Sequence, residues 1–114
     1  MTSGDRSPPL RVDHHTANGE VVVVAAGEMD VATVALFDDT IAALRPLRGP
    51  LGLDLTGIEF IDSSGLKALL EARQAAVDDV GVPPRIVAAS PAVSTLLDVC
   101  GMADVFTGPA DPPT

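Results

Sequence analysis

The sequence predicts a small α/β domain in which a mixed β-sheet, led by a hairpin, carries its helices on one face. Three observations support that reading. Asn18-Gly19 separates two β-prone runs, a strong hairpin signal because both residues tolerate positive φ. Beyond Asp30 the apolar residues switch from alternate positions to helical spacing, and strand-like and helix-like patterns then take turns along the chain. Leu51, Leu53 and Leu55 alternate with Gly52, Asp54 and Thr56, which makes that strand apolar on one side and wet on the other.

The elements follow in order. Leu10, Val12, His14 and Thr16 mark a first strand, and Val21-Val22-Val23-Val24 a second. After Gly27-Glu28-Met29-Asp30, the residues Val34, Phe37, Ile41 and Leu44 recur at helical spacing; Asp30 is the expected N-cap, and Pro46 stops the helix near Arg45. The strand beginning at Leu51 comes next. A second helix opens around Asp62-Ser63-Ser64 and is expected to turn Leu66, Leu69, Leu70, Val77 and Val80 inward before Gly81 and Pro83-Pro84 end it. Arg85-Ile86-Val87-Ala88-Ala89 reads as another strand. Ser90-Pro91 supplies an N-cap and a proline at the first helical position, opening a helix whose Val93, Leu96, Leu97 and Cys100 share a face up to Gly101. Cys100 is therefore expected in the core. A short last strand is expected near Asp104-Val105-Phe106. Residues 1–9 and 107–114 are rich in Pro, Gly and polar residues without periodicity and are expected to be flexible tails, leaving one domain over residues 10–106.

Composition narrows the function. The 114 residues leave room for one domain, since domains commonly run to about 100–150 residues. A net charge of −9 opposes binding to a phosphate backbone, whose affinity comes from clustered Lys and Arg. It favours a partner that presents basic groups. The single cysteine cannot form an internal disulfide, and no signal-peptide pattern or long apolar run is visible, so a cytoplasmic protein that does not enter a membrane is expected. His14 and His15 are adjacent on a strand, point to opposite faces and cannot grip one ion together.

One segment carries chemistry. The chain has no phosphate-cradling loop, His-Glu-x-x-His pair, Cys-x-x-Cys or Gly-x-Ser-x-Gly elbow. What remains is Asp62-Ser63-Ser64-Gly65-Leu66 at a strand-to-helix junction, where free N–H groups and the helix dipole favour negative charge. A phosphate on Ser63 would be tolerated by its own helix while adding about −1.5 to −2 charges to the surface it faces. Gly65 in the first turn sacrifices roughly 1 kcal/mol of helix propensity relative to Ala. Either access to Ser63 or close packing of the turn would explain it. A helix cap at Asp62 or Ser63 is the plain structural reading of the same residues.

The run from Leu53-Asp54-Leu55-Thr56-Gly57 through Phe60-Ile61-Asp62-Ser63-Ser64-Gly65-Leu66 resembles the signature of STAS domains of the anti-sigma factor antagonist family. Gly27-Glu28-Met29-Asp30 and the stretch from Ser90-Pro91-Ala92-Val93 to Leu97-Asp98-Val99-Cys100-Gly101 resemble further family segments, in order and at the right spacing. The likeness runs from about Val12 to Phe106. It implies the STAS fold and a non-enzymatic binding module: the unphosphorylated protein binds an anti-sigma factor that is also a serine kinase and so releases the sigma factor. It also implies that phosphorylation of Ser63 breaks the complex and that a serine phosphatase restores it. The same likeness places Asp30, Asp62, Ser64 and Gly65 on the switch surface. ATP would belong to the kinase, so no cofactor is expected for this chain, and a monomer is expected when it is free. Lys67 follows the motif where family members vary.

Two other readings compete. STAS domains also serve in stress-signalling scaffolds and lipid-transport complexes, and a lipid-binding relative would need an open apolar groove. An enzyme reading would make Ser63 a nucleophile, with His14 or His15 as base and Asp30 or Asp62 as orienter.

Overall fold

A computed structural model describes residues 9–106. Of the expected tails, 1–9 and 107–114, all but Pro9 lie outside the described residues, and the Pro9 carbonyl accepts from the backbone N–H of Glu28 at 2.7 Å. The order is β1 (Leu10–Ala17), β2 (Glu20–Met29), α1 (Val34–Leu44), β3 (Leu51–Ile61), α2 (Ser63–Val80), β4 (Arg85–Ala89) and α3 (Pro91–Val99), followed by a 3-10 helix at Ala103–Phe106. Asn18 and Gly19, at φ 55° and 81°, make the turn that joins β1 to β2 as an antiparallel hairpin. β2–β3 and β3–β4 are parallel, and the sheet order is β1-β2-β3-β4.

The helices share one face of this sheet. Val23, Ala25 and Met29 of β2 and Leu51, Leu53 and Leu55 of β3 form one core with Phe37 and Ile41 of α1, Leu66 and Leu69 of α2, and Val93 and Leu97 of α3. The alternate positions face away. There Arg85 reaches across β3 to Glu20, with Nη2 at 2.7 Å from Oε1. A Cβ at Gly52 would meet the Glu20 carboxylate and a Val87 methyl at 3.0 and 3.1 Å, so the glycine leaves the space this bridge uses. Asp54 is half-buried on this side and accepts a hydrogen bond from the backbone N–H of Thr56 at 3.1 Å.

Four expectations change in detail. α1 begins at Val34 behind Thr33, one turn later than an Asp30 cap would set it. The inward face of α2 is carried by Ala68, Ala72, Ala75 and Ala76 as much as by Leu66 and Leu69, while Leu70, Val77 and Val80 are only partly buried. The expected last strand is instead the 3-10 helix: the backbone N–H of Met102 bonds to Leu97 O and that of Val105 to Met102 O, curling the chain so that Phe106 drops into the core. Cys100 is exposed. α3 has ended at Val99, Gly101 takes φ 69° to turn the chain, and Met102 and Phe106 pack against the core beyond it.

Candidate functional site

The motif stands where two parallel strands end. β3 outruns β4, whose last partner is Leu55 opposite Ala89, and continues to Ile61 paired with β2 alone. Its final pairs set Glu28 beside Phe60 and Met29 beside Ile61. The backbone N–H of Asp62 then bonds to Met29 O at 3.3 Å, which ties the β2–α1 turn to the β3–α2 junction. The carboxyl ends of parallel strands are where α/β sheets place their functional groups, because the chain turns there into helix N-termini.

Asp62 supplies the cap of α2. Its Oδ1 accepts from the backbone N–H groups of Ser64 at 2.9 Å and Gly65 at 3.3 Å, filling two of the helix's free donors. Ser63 is thereby released from capping. It is exposed, and among the described residues its hydroxyl makes no hydrogen bond. Ser90 is the contrast: it is 5% exposed, and its Oγ accepts from the backbone N–H of Val93 at 3.2 Å.

Gly65 is buried, and packing accounts for it. A Cβ there would lie 2.6 Å from Ile61 Cγ1, 2.9 Å from Met29 O and 3.0 Å from Met29 Cβ. The first turn of α2 therefore sits directly on the end of β2, fixing the height of Ser63 above the sheet.

Asp30 lies on the neighbouring turn. Its Oδ1 accepts from the backbone N–H of Ala32 at 3.0 Å, its own N–H bonds to Thr33 Oγ1 at 2.9 Å, and the Thr33 hydroxyl donates to Glu28 O at 2.7 Å. This closed local network holds Asp30 at the edge that carries Asp62, Ser63 and Ser64. Two contributors were not singled out from sequence: the Met29 carbonyl, which pairing alone could reveal, and Thr33, a hydroxyl three residues after an Asp.

His14 and His15 are not brought to this edge. They pair with Val23 and Val22 on β1, and Val23 lies six residues down β2 from Met29, about 20 Å at 3.3 Å per residue. No Ser-His-Asp arrangement forms around Ser63. An open depression of about 460 Å³ between β4, α3 and the 3-10 helix, with Ile86, Leu97 and Phe106 in its lining, includes none of the motif residues. No helix among the described residues is long and apolar enough to cross a membrane.

A family profile described as the STAS domain matches residues 10–112, nearly the whole chain. The chain belongs to the STAS domain family. Among solved structures, this STAS domain is similar to an anti-sigma factor antagonist from Mycobacterium paratuberculosis, at 25% identity and a TM-score of 0.75, covering 96% of this chain and 92% of that one. It shares its fold with the anti-sigma factor antagonist SpoIIAA in its unphosphorylated form, at 19% identity and a TM-score of 0.68, with 89% of each chain covered. The Bacillus cell fate determinant SpoIIAA in its phosphorylated form follows at 17% identity and a TM-score of 0.64, covering 89% of this chain and 92% of that one. A comparison with curated proteins finds no match.

Proposed function

We infer that this STAS domain is an anti-sigma factor antagonist that switches partners through phosphorylation of Ser63. The unphosphorylated form binds an anti-sigma factor with serine kinase activity and frees the sigma factor. Phosphorylation ends that contact, and a serine phosphatase reverses it. The observation that carries this reading is the division of labour between Asp62, which caps α2, and Ser63, which stays exposed with its hydroxyl uncommitted at a helix N-terminus. The likeness to the mycobacterial antagonist supports the same role.

The chemistry of the switch is electrostatic. A phosphate at the first position of α2 lies at the favourable end of the helix dipole, so the fold tolerates it. Glu28 and Glu59 are exposed and Asp30 and Asp62 half-buried at the same edge. About two further negative charges there would add like charge and bulk to a surface docked against a kinase site, where loss of fit costs several kcal/mol and each tenfold in affinity is about 1.4 kcal/mol. The test is binding of Ser63→Ala and Ser63→Asp to the partner kinase. The alanine variant binds and is not released by ATP, and the aspartate variant binds poorly with an unchanged melting temperature; equal binding by the two variants contradicts the reading.

A further inference from the structure

Single exposed apolar side chains are common on protein surfaces, so their placement is what carries meaning. Val31 is 79% exposed and Phe60 is 48% exposed. They stand on the two segments that the Asp62–Met29 hydrogen bond ties together: Val31 follows Asp30 in the β2–α1 turn, and Phe60 comes two residues before Asp62 at the end of β3. A register shift explains the exposure of Phe60: the β2–β3 pairing slips between Gly27 and Glu28, so Phe60 does not share the inward face of Ile58 as strict alternation would have it. Ile58 and Ile61 turn into the core, Phe60 pairs with exposed Glu28 instead, and β4 has already ended at Ala89. Glu28 and Asp30 lie on the first of these joined segments and Glu59 and Asp62 on the second. An aromatic and an aliphatic side chain among charges match the anatomy of a specific interface, whose apolar anchors are desolvated and whose rim stays polar.

We propose that Phe60 and Val31 are the apolar anchors by which the partner kinase seats itself over Ser63, each filling an apolar socket rimmed by Lys or Arg on the partner. The proposal rests on the reading of Ser63 as the phosphorylated residue. The occupant is the anti-sigma factor kinase because an enzyme that phosphorylates Ser63 must cover this edge, and because a basic rim complements the carboxylates around the anchors. A symmetric second copy would bring those carboxylates against themselves. The two parts of the surface then have separate tasks. The anchors supply the apolar part of the contact, while the charge on Ser63 decides whether they can reach their sockets.

The experiment measures affinity and phosphorylation kinetics with each purified serine-kinase anti-sigma factor of the source organism, using wild-type protein, Phe60→Ala, Val31→Ala, Ser63→Asp and Val99→Ala. Val99 is 78% exposed at the end of α3 and serves as the remote control. Phe60→Ala weakens binding at least about tenfold, as expected of an aromatic hot spot. It also raises KM for phosphorylation while kcat holds, Val31→Ala acts in the same direction more weakly, and Val99→Ala has no effect. Val31→Asp, on a side chain that is nearly all in solvent, carries the test should Phe60→Ala melt early. Wild-type affinity and KM in Phe60→Ala and Val31→Asp, alongside lost binding in Ser63→Asp, would overturn the anchors and leave the Ser63 switch standing. Binding and phosphorylation of wild-type protein by none of the kinases would overturn both. A wild-type dimer that Phe60→Ala converts to monomer would assign the anchors to self-association instead and overturn the proposal.

Discussion

The Asp62 carboxylate holds the backbone N–H of Ser64 at 2.9 Å and that of Gly65 at 3.3 Å, both through Oδ1, so α2 is capped without help from Ser63. Asp62→Ala is expected to lose about 0.5–2 kcal/mol of stability, the usual cost of a lost N-cap. Ser63→Ala should stay within about 0.5 kcal/mol of wild type, as at an uncommitted surface site. Urea denaturation of the two variants checks both, and a large loss in Ser63→Ala would mean that its hydroxyl serves the fold.

Gly65→Ala sets two effects of opposite sign against each other. Helix propensity favours alanine by about 1 kcal/mol. The added Cβ, however, would lie 2.6 Å from Ile61 Cγ1 and 2.9 Å from the Met29 carbonyl oxygen, and that oxygen is backbone of the core sheet. Overpacking of this kind costs roughly 1–3 kcal/mol, so the variant should be destabilised. A higher melting temperature would show that the first turn of α2 can lift off β2.

The fold was legible wherever the signal was local. Asn18-Gly19 announced the hairpin, Ser90-Pro91 the start of α3 and Asp62 the start of α2. Non-local packing decided the rest. Alanines at 68, 72, 75 and 76 carry little hydropathy, yet they bury almost completely because α2 approaches its neighbours closely. Cys100 keeps the helical period of Val93 and Leu97, but periodicity does not reveal that α3 ends at Val99 and that Met102 and Phe106 take up the packing beyond it. Val105 and Phe106 suit a strand by type, and the bonds from Met102 and Val105 to the preceding turn curl them instead. At the site, the motif residues and the acidic surroundings were readable, whereas the β2–β3 register that joins Met29 to Asp62 was not. The exposure of Phe60 also depends on that register, although the alternation around Ile61 hinted at it.

Cys100 gives a direct check on the end of α3. The thiol is exposed, so a thiol reagent should modify the native protein at a rate close to that of the unfolded chain. Cys100→Ser should change stability by no more than about 0.5 kcal/mol, as at other surface positions. Slow modification limited by unfolding would return the residue to the core.

Asp79 links α2 to the chain after α1. It pairs with Arg45 at 2.9 Å and accepts from the backbone N–H of Leu47 at 2.9 Å. The Arg45 hydrogen bond, followed by the Leu47 N–H, lowers its pKa from 3.8 to about 2. A carboxylate depressed on folding stabilises the native state fully above its unfolded pKa, and the contribution disappears as pH falls through the folded value. Asp79→Asn should therefore be less stable than wild type at neutral pH, with the gap closing between 3.8 and about 2. A gap of constant size across that range, measured by denaturation, would show that the charge of Asp79 is not what stabilises.

The proposed switch requires that Ser63, and not its neighbour, receives the phosphate. Incubation of the protein with its partner kinase and ATP, followed by phosphopeptide mapping, tests it most directly. The switch predicts a single phosphate on Ser63, appearing as the complex dissociates and absent from Ser63→Ala. Phosphate on Ser64 alone, or dissociation without modification of Ser63, would contradict it.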